Sequence, residues 1–187
     1  MDTALLEGGF VDAPRQAAFA FRSIMRAMAR PGTIEGIEGA APPSPLSPAA
    51  GTVLLALADG DTPLYLAGPC DTPDIRGWVG FHTGASCGAA SAAHFALGRW
   101  DDLLPLSQYP IGTPDYPDRS TTLIVEVDTL EQAGTRLTGP GIKESAALSL
   151  PASEEFAQNN ALFPLGLDFY FTCGNRIAAL PRSTRIG

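Results

Sequence analysis

The sequence predicts an α/β protein with a mixed sheet that ends in an antiparallel hairpin. Three observations carry this. Helical and strand-like segments interleave along the chain. The last two strand candidates, Phe169–Cys173 and Arg176–Leu180, flank Gly174-Asn175, a two-residue turn with glycine first, which reads as a type II′ hairpin. The length of 187 residues fits one domain, 1–187, and neither proline-rich cluster leaves flanks large enough to fold alone.

The first helix is expected from about Pro14 to Arg30, capped by Asp12 and stopped by Pro31-Gly32. At about 100° per residue, Ala17, Phe21, Ile24, Met25 and Met28 gather on one side as the core face. Arg15, Arg22, Arg26 and Arg30 gather opposite. Arg26 and Arg30 are favoured near a helix C-terminus, and solvent alone accounts for such a face. Phe19 falls among these arginines, however, and an aromatic there points to a docking surface of Phe19, Arg22 and Arg26. An extended connector, Ala40–Pro48, leads to a second helix capped by Ser47 with Pro48 in its first turn. Its run Val53–Ala58 is apolar all round and is expected to be buried. A third helix starts at Thr72-Pro73-Asp74 and a fourth near Ser153-Glu154-Glu155. Further strands are expected at Leu64–Leu66, His94–Leu97, Thr121–Val127 and Thr135–Thr138. Pro105–Arg119 holds four prolines and reads as a long loop, functional or docked on the body.

Composition narrows the function. Apolar residues make up 45% and charged residues 17%, a sparsely charged surface that leaves room for a protein interface. The net charge of −8, with no basic run, repels nucleic acid and anionic membranes. Val53–Ala58 is the longest apolar run and is too short to cross a bilayer. Cys70, Cys87 and Cys173 are an odd set without C-x-x-C spacing, as expected of reduced thiols in the cytoplasm. The N-terminus, with Asp2 and Glu7, lacks the pattern of a signal peptide. No phosphate-binding P-loop and no nucleophile elbow occur. The two histidines, His82 and His94, lack a second ligand at helical spacing, so no metal is expected.

Several segments have two readings. Asp59-Gly60-Asp61-Thr62-Pro63 is an ordinary polar turn, or its Asp59, Asp61 and Thr62 bind a sugar hydroxyl or an arginine. Carboxylates at a helix C-terminus oppose the helix dipole, which favours a purpose. His82, between Phe81 and Thr83, is a structural donor or a ligand contact. Leu180-Pro181-Arg182-Ser183-Thr184 is a solvated tail, or its Arg182 and Thr184 meet a phosphate or carboxylate. Thr138–Lys143 is a tight turn leaving a strand, or its glycines let backbone N–H groups approach an anion.

These segments together resemble the PhnH family, the H subunit of bacterial carbon–phosphorus lyase systems. Phe21-Arg22, Met25, Ala27-Met28-Ala29 and Pro31-Gly32 look like its N-terminal helix. Leu54–Asp59 with Asp61-Thr62-Pro63, then Phe81-His82-Thr83, Leu137–Ile142, Phe163–Asp168, Thr172-Cys173-Gly174 and Ala179–Thr184 follow in order. The region from about Cys87 to Ser120 matches by length alone. The resemblance implies a cytoplasmic homodimer within a core complex with G, I and J subunits. That assembly, helped by an ATP-binding partner, joins an alkylphosphonate to the ribose C1 of ATP and displaces adenine. It also implies the fold of type I pyridoxal-phosphate transferases without the cofactor. Three functions stay open: a contributor to the transfer site, a scaffold, and a small pyridoxal-phosphate enzyme using Lys143, for which the chain is short.

Overall fold

The computed structural model describes residues 7–151 and 154–187. In chain order the elements are α1 (Ala13–Ala29), β1 (Glu35–Gly36), α2 (Pro48–Leu57), β2 (Leu64–Leu66), α3 (Pro73–Thr83), β3 (Phe95–Arg99) and α4 (Trp100–Leu103). They continue with β4 (Thr122–Glu126), β5 (Thr135–Thr138), β6 (Ala146–Leu148), α5 (Glu154–Asn160), β7 (Asp168–Cys173), β8 (Arg176–Leu180) and β9 (Arg185–Ile186). Asp2 and Ser153, used in the sequence reading, lie outside the described residues.

A six-stranded sheet runs in the order β1-β8-β7-β4-β3-β2, and a three-stranded sheet in the order β6-β5-β9. Strands β2, β3, β4 and β7 are mutually parallel. Strand β8 runs antiparallel to β7, and β1 antiparallel to β8, which makes the sheet mixed as expected. Side chains alternate across it. Ile124 and Tyr170 face a core built with α1, α2 and α3. Leu123, Val125, Phe169 and Phe171 face a second core with Trp100, Phe156 and Leu137. Both faces are therefore covered, which is why these strands read as nearly continuous apolar runs.

Local chemistry sets the ends. Ser47 Oγ accepts from Ala50 N at 3.1 Å, and Thr72 Oγ1 accepts from Ile75 N at 3.2 Å, so α2 and α3 start where their caps predict. Gly174 has φ +57°, and among the described residues only glycines take positive φ, which fits the glycine-first hairpin turn. Among the described residues no helix is long and apolar enough to cross a membrane.

The first helix departs from expectation twice. Asp12 makes no side-chain cap; its backbone N–H instead donates to Gln16 Oε1 at 2.7 Å. Phe21 and Met25 are not core residues but 47% and 50% exposed. The buried stripe is Ala20, Ser23, Ile24 and Ala27, a narrow line of mostly small side chains. Small residues let α1 lie close to α2 and β8, and a close approach leaves no room for bulky groups at the rim of the stripe.

Candidate functional site

Four parallel strands bring their carboxyl ends to one edge of the large sheet. Open α/β sheets bind ligands in the crevice outside those ends. Here the edge carries Arg99 at the end of β3, Glu126 at the end of β4 and Cys173 at the end of β7. Cys70 follows β2 in a short 3-10 turn. Two adjoining hollows of about 340 and 260 Å³ share Arg99, Glu126, Val127 and Asp128 as a common wall. Trp100 and Leu150 add apolar surface to the larger one; Ser47 and Cys70 line the smaller.

Glu126 is the organising group. It accepts the Ser47 backbone N–H at 2.6 Å and the Thr172 hydroxyl at 3.0 Å. Ser47 caps α2, so the carboxylate sits against a helix N-terminus, where negative charge is favoured. Burial nevertheless pushes its carboxyl above the ordinary range; the Ser47 and Thr172 hydrogen bonds and the Arg99 charge pull the other way without cancelling it. Arg99 donates to Asp128 Oδ1 at 3.1 Å, but that pair is 58% and 79% exposed and screened by water. Burial pushes the Cys70 thiol up to about 11, so it stays protonated and is no nucleophile near neutral pH.

The folded chain thus holds the Glu126 proton more tightly than the unfolded chain does. Stability from the protonated form is fully present below the unfolded value and is lost as pH rises through the raised folded value. Glu126→Gln is expected to melt above the parent chain at about pH 7, with the gap closing towards about pH 4. Thermal melts across that range check it, and a gap that widens on acidification would contradict it.

With Asp101 in the larger hollow, the cleft sets three carboxylates against one guanidinium. Such a field repels a polyphosphate and suits hydroxyl, amide or amino groups. Among the described residues no group of three His, Cys, Asp or Glu is placed to hold a metal ion.

None of the ligand or contact candidates singled out from the sequence lines this cleft. Asp59, Asp61 and Thr62 form a self-contained turn just before β2, at the opposite edge: Asp61 N donates to Asp59 Oδ1 at 2.9 Å, and Thr62 Oγ1 donates to Asp59 O at 2.8 Å. His82 Nε2 lies 3.1 Å from Glu7 O, with its ring against Trp78 and Phe81. Arg182 follows β8, also at the opposite edge, and is only 12% exposed. It is wrapped by Asp168, Ser120 and the Pro117 carbonyl, the last at 2.7 Å, and this grip docks the 105–119 loop. Thr184 is buried, and its Oγ1 has no partner among the described residues. Arg26 Nε donates to Glu35 at 3.0 Å, while Arg22 lies over the exposed Phe19 ring, 5.7 Å from its centroid. Lys143 is exposed in its turn, where Gly141 passes against the end of α1. The missed signal was a carboxylate at the last position of the apolar strand β4, which the strand-end rule marks.

The architecture is that of a doubly covered α/β protein with an acid-rich cleft at the carboxyl edge of its sheet. The chain belongs to the PhnH family: residues 8–187 match the family described as bacterial phosphonate metabolism protein (PhnH). It is 37% identical over 191 residues to the alpha-D-ribose 1-methylphosphonate 5-triphosphate synthase subunit PhnH of Rhizobium meliloti (strain 1021), covering 97% of this chain and 96% of that protein. It is 30% identical over 185 residues to a putative C-P lyase subunit protein, HtxG, of Stutzerimonas stutzeri, covering 93% of this chain and 87% of that one.

Proposed function

We propose that this chain is a subunit of a carbon–phosphorus lyase assembly and supports formation of alpha-D-ribose 1-methylphosphonate 5-triphosphate from ATP and methylphosphonate. The observation that carries this is 37% identity along 97% of the chain to a relative named as a subunit of that synthase. In this reading the chain is a cytoplasmic homodimer of single domains. It works with G, I and J subunits, uses no cofactor of its own and keeps the fold of type I pyridoxal-phosphate transferases. Phe19, Arg22 and Arg26 serve as a contact surface, supported by Phe19 being 60% exposed beside arginine.

A second reading, a scaffold with no residue in the chemistry, is favoured by the acid-rich cleft, whose charge opposes a triphosphate. One experiment serves both. The G, I and J subunits and their ATP-binding partner are assayed for adenine release from ATP and methylphosphonate, with and without this chain. Release is expected only with it, and equal release without it would sink the subunit reading. Arg99→Ala with Asp128→Asn then separates the two: unchanged turnover in an intact assembly selects the scaffold, and lost turnover selects the cleft. Phe19→Ala is expected to weaken association by about 1–2 kcal/mol while leaving the melting of the free chain nearly unchanged.

A further inference from the structure

On the sheet face opposite α1–α3, a groove of about 440 Å³ runs between α5 and the 104–111 segment. Leu104, Leu106, Ile111 and Leu167 make its walls apolar. Leu162, 46% exposed, stands at its rim, and the apolar strip continues from it onto Phe163, 59% exposed. Glu155 stands in this wall. Its Oε2 is shut off from water and has no hydrogen-bond partner among the described residues. The neighbouring amides are engaged elsewhere: Gln158 Nε2 donates to Glu154 at 3.3 Å, and both ends of the Asn159 amide are held by the Leu167 backbone. A carboxylate oxygen deprived of both water and donor is unfavourable, and Glu155 as a whole is only partly buried, so a turn of its side chain towards the groove lets a donor from outside satisfy it.

We propose that this groove docks an apolar segment of a partner subunit that carries one lysine or arginine, whose cation reaches Glu155. The inference rests on the subunit reading above and names the surface and the chemistry it recognises. A protein segment fits better than a small molecule, because the apolar strip runs past the groove from Leu162 onto Phe163. A second copy of this chain fits poorly. The exposed cations beside exposed apolar groups on α1 lie across the sheet, so copies joined that way would propagate and not close, and Arg119 in the 105–119 loop is already stacked over Tyr116, 4.0 Å from its centroid.

The test uses the full chain, free and in the co-expressed assembly. Glu155→Leu removes the lone carboxylate, so the free variant is expected to melt at or above the parent temperature. Its association with the other subunits is expected to weaken by roughly tenfold to a hundredfold. Leu162→Asp, at an exposed position, is expected to weaken association likewise and leave melting unchanged. A photo-crosslinking residue at Leu162 is expected to capture an apolar peptide containing lysine or arginine. Replacing that cation with glutamate is expected to weaken assembly, and Glu155→Lys to restore it. A lower melting temperature for Glu155→Leu would make the carboxylate structural and overturn the proposal. So would a crosslink to a second copy or to a segment without a cation, or no crosslink at all. If the parent chain itself fails to associate, the subunit reading falls and takes this proposal with it; unaffected variants in a sound assembly defeat the groove alone.

Discussion

Arg182→Met is expected to lower the stability of the chain by about 3–5 kcal/mol, which is the usual loss when one partner of a buried ion pair is removed. The guanidinium is 12% exposed and Asp168 22%, so water screens the pair little. Its nitrogens also satisfy the Pro117 carbonyl and Ser120, and its backbone N–H donates to Asp168 at 2.8 Å. Methionine fills a similar volume and keeps the backbone N–H bond, but leaves the largely buried Asp168 carboxylate without its cation. Lysine in its place keeps the charge but not the planar fork, and is expected to recover only part of the loss. Chemical denaturation of the free chain measures it. A ligand-binding role predicts a different outcome: a variant as stable as the parent that fails only in the assembly. A loss below about 1 kcal/mol would remove the clamp as an explanation.

Phe156→Ala is expected to have an effect of similar size, about 3–5 kcal/mol. Its ring lies 4.5 Å from that of Trp100, 5.0 Å from Phe169 and 5.9 Å from Phe171, centroid to centroid. It is the main apolar anchor of α5, a helix of seven residues that is too short to persist unaided. Apart from this ring, α5 is held by Asn159, whose amide pairs with both backbone groups of Leu167, and by Asn160, whose Nδ2 donates to the Arg182 carbonyl at 2.7 Å. Loss of the ring is therefore expected to loosen α5 first, read as faster hydrogen exchange over residues 154–160 than over β4 or β7. Uniform exchange through all three would show that α5 belongs to the same cooperative unit as the sheet.

Elements with local chemistry were legible in the sequence. Ser47-Pro48, Thr72-Pro73 and Gly174-Asn175 each state where a helix or turn begins, and the structure agrees within a residue. Strands β1, β6 and β9 were missed, because Glu-Gly, Ala-Ala-Leu and Arg-Ile lack the bulky apolar run that marks the equally short β2, and these strands exist only through their partners. The error on α1 has the same origin: the helical wheel gathers Phe21 with Ile24, but only the neighbours decide how wide the buried stripe is. The Asp168–Arg182 pair and the Glu126–Ser47 contact join positions that local spacing does not connect. Glu126 shows how far pattern reading reaches, since its strand was placed correctly while its position at a shared edge depended on the order of four strands.

The pairing of Glu35 with Ile177 has a consequence for how the chain is made. Synthesis delivers α1 and α2 first, yet the inner strands they cover, β7 and β8, come from beyond residue 167. Until those strands leave the ribosome, the buried flank of α2 (Ala49 to Leu54) has only part of its sheet, β2 to β4, to lie on. Long-range closure of this kind slows folding and prolongs the exposure of apolar surface. The nascent chain is therefore expected to depend on a holding chaperone at α2, and slowing translation early in the message should do little to help it.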